Sequence, residues 1–118
     1  MSFDLSKSGL PTKILIGPFE HTVTFKQLDI ASETPVHGVY IFEDLELSFQ
    51  PGQANKAFAA DSVVHEVLHA IWRVNALNQE KLAAKDCEER IVSVLATALV
   101  QLLKANPKLA VWLQKQVT

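Results

Sequence analysis

The stretch that decides the fold is Ser62-Val63-Val64-His65-Glu66-Val67-Leu68-His69-Ala70-Ile71-Trp72. It holds no Pro or Gly, and its apolar residues recur at helical spacing, so it predicts a helix. Within it runs the pattern His-Glu-x-x-His. On a helix, His65 and His69 stand one turn apart on the same face, about 6 Å along the axis. Two imidazoles so placed can reach one ion at zinc–nitrogen distances of about 2.0–2.1 Å. Glu66 is rotated by about 100° from His65, which suits it to a water on the ion better than to the ion itself. Val64, Val67, Leu68 and Ile71 leave almost no polar face. The helix is therefore expected to be buried nearly all round, with His65, Glu66 and His69 in need of partners.

A catalytic zinc takes three protein ligands and keeps one position open for water. The cluster Cys87-Glu88-Glu89 offers the third. On a helix through Lys104, the residues Ser93, Thr97, Gln101 and Lys104 form a narrow polar face, with Asp86 and Arg90 beside it. Ile91, Leu95, Leu99 and Leu102 lie opposite. Glu88 projects near the centre of that apolar side, where a carboxylate must be neutralised, paired or bound to a metal. Glu88 is thus the favoured ligand. Glu89, nearer the boundary, is the alternative, or else a capping carboxylate. Cys87 is a third choice, since thiolate binds zinc well but a lone cysteine is more often simply buried.

The first half of the chain reads as strands. Lys13 to Ile16 is a short apolar run closed by Gly17-Pro18. His21 to Lys26 alternates, with Val23 and Phe25 inward. Leu28 to Pro35 reads as loop. Val36 to Phe42 and Leu45 to Gln50 predict an antiparallel hairpin about Glu43-Asp44, and Pro51-Gly52 is expected to end the sheet. Asn55 or Asp61 is positioned to cap the helix that ends near Asn75. A second helix is expected from about Gln79, with a start or break at Asp86, running to Lys104. Asn106-Pro107 then predicts a cap and first turn of a short terminal helix. Trp72 and Trp112 are read as core. The expected fold is α+β: a small antiparallel sheet, an active-site helix, a second long helix and a short C-terminal helix, all in one domain spanning residues 1–118.

Composition excludes some partners. A net charge of −2 gives no basic footprint for nucleic acid or an anionic membrane surface. The single cysteine allows no internal disulfide, which fits a reducing compartment. The opening MSFDLSKSGLPTK lacks the apolar core of a signal peptide. The longest apolar run, Ile91 to Leu103, is interrupted by Ser93, Thr97 and Gln101. A cytoplasmic protein with neither nucleic-acid nor membrane partners is expected.

HEVLHAIW, followed by EERIV about twenty positions later, resembles the small zincin-type metallopeptidases encoded by bacteriophages. It is more distantly similar to the ImmA/IrrE and SprT-like peptidase families. GVYIFEDLELSF fits the same pattern, and the likeness covers Gly38 to Pro107. The resemblance implies a minimal glutamate-zincin fold, with His65 and His69 as zinc ligands and Glu66 as catalytic acid/base. The third-ligand carry-over falls on the pair Glu88-Glu89. It also implies residence in a host cytoplasm.

The activity expected on this reading is peptide-bond hydrolysis. Zinc lowers the pKa of its water to about 7, and Glu66 takes the proton and returns it to the leaving amine. Tyr40 and His37 are candidates to assist the oxyanion. A peptide or protein substrate is expected to pair with the edge of one of the two hairpin strands. A second reading keeps the zinc but drops turnover, leaving a structural or interaction protein. A third is a metal-free helical protein in which the motif is accidental.

Overall fold

A computed structural model describes residues 3–28, 36–77 and 85–118, with the backbone alone for residues 85, 86 and 88. The expected strands form, within a residue or two. Strand β1 is Phe3–Asp4, followed by a single 3-10 turn at Leu5–Lys7. Next come β2 (Lys13–Ile16), β3 (Phe19–Phe25), β4 (Gly38–Ile41), β5 (Glu46–Phe49) and β6 (Gly52–Gln53). Helices α1 (Lys56–Val74), α2 (Lys85–Ala105) and α3 (Pro107–Val117) complete the chain. The loop expected from Leu28 to Pro35 lies, from residue 29 on, outside the described residues, as does the second-helix start expected near residue 79.

The sheet is mixed, not antiparallel as expected. Its order is β2-β3-β5-β4. The hairpins β2–β3 and β4–β5 are antiparallel, but β3 and β5 run parallel. The reason is the route of the chain. After β3 it passes to the outer edge to form β4, and the return strand β5 drops between β3 and β4. A central strand is covered on both faces, and Leu47, Ser48 and Phe49 are indeed buried. Nor does Pro51-Gly52 end all pairing, because Gly52 and Gln53 pair with Asp4 and Phe3.

Helix α1 starts at the earlier of the two expected caps, Asn55 and not Asp61. Asn55 Oδ1 accepts the N–H of Phe58 at 2.9 Å. Its inner face carries Ala59, Val63, Val67, Ala70 and Ile71 against Ile14, Val23, Leu47 and Phe49 of the sheet. Burying one such aliphatic side chain is worth about 1.5–3 kcal/mol. The expectation of a helix buried all round is corrected. Val64 and Leu68 are 37% and 36% exposed, so α1 is buried against the sheet and α3 but open on its remaining side. Trp112 is core, with Nε1 donating to Ser8 Oγ at 3.0 Å, whereas Trp72 is only half-buried. Among the described residues no single helix is long and apolar enough to cross a membrane.

Pro107 opens α3 as expected, but Asn106 does not cap it with its side chain. Asn106 Oδ1 accepts the N–H of Leu15, and Nδ2 donates to the Leu15 and Leu102 carbonyls, all at 2.8 Å. The carboxamide thus mimics a neighbouring strand on the outer edge of β2. Asn106→Ala is expected to lower stability by about 1–2 kcal/mol, read as a shift of the urea midpoint at constant slope.

Candidate functional site

Two elements build the site. Helix α1 supplies His65, Glu66, His69, Trp72 and Arg73, and β4 with its turn supplies Gly38, Tyr40, Phe42 and Glu43. They line a groove of about 490 Å³. A second hollow of about 280 Å³ shares Gly38, His65 and Glu66 with it, and extends it toward His37, Phe58 and Asp61. The space thus runs along β4 on the side away from β5.

The closeness of the two walls depends on Gly38. A Cβ there would stand 2.9 Å from Glu66 Cγ and 3.0 Å from Phe49 Cδ1. Only glycine lets the strand lie this near the helix. Glu66 is consequently buried, with 7% of its surface exposed, while His65 and His69 on the same turns point outward and are exposed. Burial raises the Glu66 carboxyl above its ordinary value, and the imidazoles of His65 and His69 oppose this more weakly. His65 Nε2 lies 3.9 Å from Glu66 Oε2 and 3.1 Å from His69 Nε2. At 3.1 Å one ring donates N–H and the other accepts.

The far end of the groove is amphipathic. Arg73 stands 4.8 Å over the Phe42 ring, and its Nη2 is 3.9 Å from Glu43 Oε1. That ion pair is largely solvated and contributes little to stability. Tyr40 Oη lies 2.9 Å from Nε2 of the buried His21, whose Nδ1 is 3.0 Å from the Phe19 carbonyl. Burial lowers the pKa of His21 and raises that of Tyr40. His37 instead packs edge-on against Phe58, with ring centroids 4.6 Å apart.

No family model, curated protein or solved structure matches this chain.

The geometry brings His65, Glu66 and His69 together as the motif requires. Glu89 is exposed and Cys87 is buried as a free thiol; the Glu88 side chain lies outside the described residues. Among the described residues no three His, Cys, Asp or Glu side chains are grouped to hold a metal ion. That finding overturns the zinc ion in both its catalytic and its structural form. The zinc metallopeptidase activity and the zincin resemblance fall with it. The task assigned to Glu66, taking a proton from a metal-bound water, falls too.

Sequence reasoning passed over His21, Gly38 and Arg73. His21 carried a usable signal, because it shares the inward parity of Val23 and Phe25 on an alternating strand. A polar residue at an inward position needs a partner. Gly38 and Arg73 join the site only through tertiary placement.

The buried carboxyl has a stability consequence. Its folded pKa is raised above the ordinary 4.5, so the native state holds the proton more tightly than the unfolded chain. Stability from this group is present below about 4.5 and is lost as pH rises through the folded value. Glu66→Gln is therefore expected to raise the melting temperature by a few degrees at pH 7. The gain should vanish at pH 4. Thermal melts of both proteins at the two pH values check it, and a loss of stability at pH 7 would contradict the sign.

Proposed function

We propose that the protein is a peptide-recognition module that takes an extended segment of a partner along β4, in the groove against α1. The observation that carries this reading is the asymmetry of the sheet edges. The β2 edge is occupied by Asn106, while among the described residues nothing pairs with the outer edge of β4.

The hydrogen-bond phase of that edge supports the reading. The Gln50 N–H donates to the His37 carbonyl at 3.1 Å, and Gly38, Val39, Tyr40 and Ile41 face Phe49, Ser48, Leu47 and Glu46. Antiparallel pairs alternate between bonded and non-bonded. His37, Val39 and Ile41 therefore bond inward to β5, and the N–H and C=O of Gly38 and Tyr40 turn outward to the groove. Two residues at alternate positions offering four backbone groups are what an added strand requires. Side-chain selection would come from His65, His69 and Trp72 on the facing helix. The net charge of −2 favours a protein partner over nucleic acid.

Selection from a displayed peptide library, followed by amide exchange of the complex, tests this. The Gly38 and Tyr40 amides are expected to gain protection, and the His65 and His69 ring signals to shift. Gly38→Ala should weaken binding at least tenfold by pushing β4 off Glu66, a loss of about 1.4 kcal/mol or more. Library peptides that bind with β4 amides unprotected would refute the groove. So would the absence of any binder tighter than about 1 mM.

A further inference from the structure

We propose that Glu66 anchors one basic side chain, lysine or arginine, carried by the ligand residue that lies opposite Gly38. That this residue belongs to an extended peptide rests on the reading above; that Glu66 receives a cation does not.

The carboxyl of Glu66 is buried without a donor of its own. The side chain is nine-tenths buried, and His65 Nε2, at 3.9 Å, is too far to hydrogen-bond to it. Burial raises its pKa, and what opposes the rise is the two imidazoles of His65 and His69, not a hydrogen-bond donor. Among the described residues every fully occluded side-chain oxygen has a hydrogen-bond partner, so the Glu66 oxygens are not fully occluded. The residue lines both the groove along β4 and the hollow that extends it. Removing a carboxylate from water without a donor is costly. A cationic donor offsets that cost better than a neutral one, because charge-assisted hydrogen bonds are about twice as strong.

Gly38 sets where such a donor arrives. Its missing side chain would run into Glu66, since a Cβ there would stand 2.9 Å from Glu66 Cγ. Residues directly opposite each other on paired strands project to the same face, with Cβ atoms about 4.5–5.5 Å apart. The residue of an added strand opposite Gly38 therefore projects beside the same turn of α1. No Gly38 side chain stands between it and the carboxyl.

The surrounding charges select the sign. Glu43, Asp61 and Glu66 share the lining of the two hollows with one guanidinium, that of Arg73. Arg73 lies over the Phe42 ring, 3.9 Å from Glu43 Oε1. A basic ligand side chain adds positive charge among carboxyl groups, whereas an acidic one adds a further like charge.

Two experiments on the full chain test the anchor. Peptides that protect the β4 amides are resynthesised with lysine, arginine, norleucine or glutamate at the position opposite Gly38. Lysine or arginine is expected to bind roughly tenfold tighter than norleucine, which keeps an aliphatic stem without the charge, and glutamate more weakly than norleucine. Glu66→Gln, close in shape, should erase that preference. Asp61→Asn, at an exposed position in the hollow, should keep most of it, which separates contact with Glu66 from general attraction to an acidic surface. In the second experiment n-butylammonium and methylguanidinium, the two basic tails alone, are titrated into the free protein beside 1-butanol. The cations are expected to shift the Glu66 carboxyl carbon and the Gly38 amide, and the alcohol to leave both in place; the Gly38 shift should be lost in Glu66→Gln. The tail with the larger effect distinguishes lysine from arginine. Equal binding of basic and norleucine peptides overturns the proposal, as does a preference that survives Glu66→Gln. If no peptide binds along β4, the groove reading falls and the titration decides alone: the shifts sustain the cation site, and their absence overturns it.

Discussion

Helix α1 and strand β4 meet at Gly38 with no room for a methyl group, and the rest of the site follows from that contact. Gly38 lies between Glu66 Cγ and the Phe49 ring, each within about one van der Waals contact of where a side chain would begin. The strand thereby covers the carboxyl of Glu66 and excludes water from one side of it. Because α1 turns by about 100° per residue, seating Glu66 inward swings His65 and His69 to the opposite lip. Tyr40, two residues along the strand from Gly38, shares its face and reaches across β5 to His21 on β3. One missing side chain thus sets the depth of the groove, the burial of its acid and the exposure of its two imidazoles.

The topology of the sheet decides which edge is available. Dropping β5 between β3 and β4 makes β2 and β4 the two outer strands. Open edges invite pairing with other chains, and folded proteins usually blunt them. Here the blunting is one-sided. The Asn106 carboxamide reproduces a peptide group opposite Leu15, at the corner between α2 and α3. On β4 the corresponding groups point into a cleft with a helical wall. That wall stands along the whole groove beside the edge.

Much of this was legible in the chain. Strict alternation in Leu45 to Gln50 and the apolar run at Lys13 to Ile16 gave their strands, and Asn55 was one of two residues read as the cap of α1, because these signals are local. Periodicity does not encode strand order, so the parallel pairing of β3 with β5 was not readable. The helix burial was misjudged for a related reason. Val64 and Leu68 are apolar by type, yet the face they occupy is left partly open by the placement of α2 and α3. The five-residue motif fixed His65 and His69 on one face through helix geometry alone, and their nitrogens do converge. A third ligand, by contrast, depends on where another helix lands, and spacing along the chain cannot specify that. The same limit hid Asn106, which reads as a helix cap and instead bonds to a strand about ninety residues away.

The site departs from what stability alone would select. An apolar residue at position 66 would bury cleanly beneath β4, and one at position 21 would pack between Ile14 and Val23 without needing a hydrogen-bond partner. Instead the chain holds a carboxyl and an imidazole there, each shifted by burial in the direction that disfavours its charge. Local rules broken without an evident packing gain are what a functional surface produces. Glu66 from the helix and the outward backbone groups of Gly38 and Tyr40 line one groove. Buried groups held in fixed orientation discriminate by the ligand groups they leave unpaired, which costs a mismatched partner more than a matched one gains. The recognition we propose would therefore reside in the outward backbone groups of Gly38 and Tyr40, with the buried Glu66 behind them.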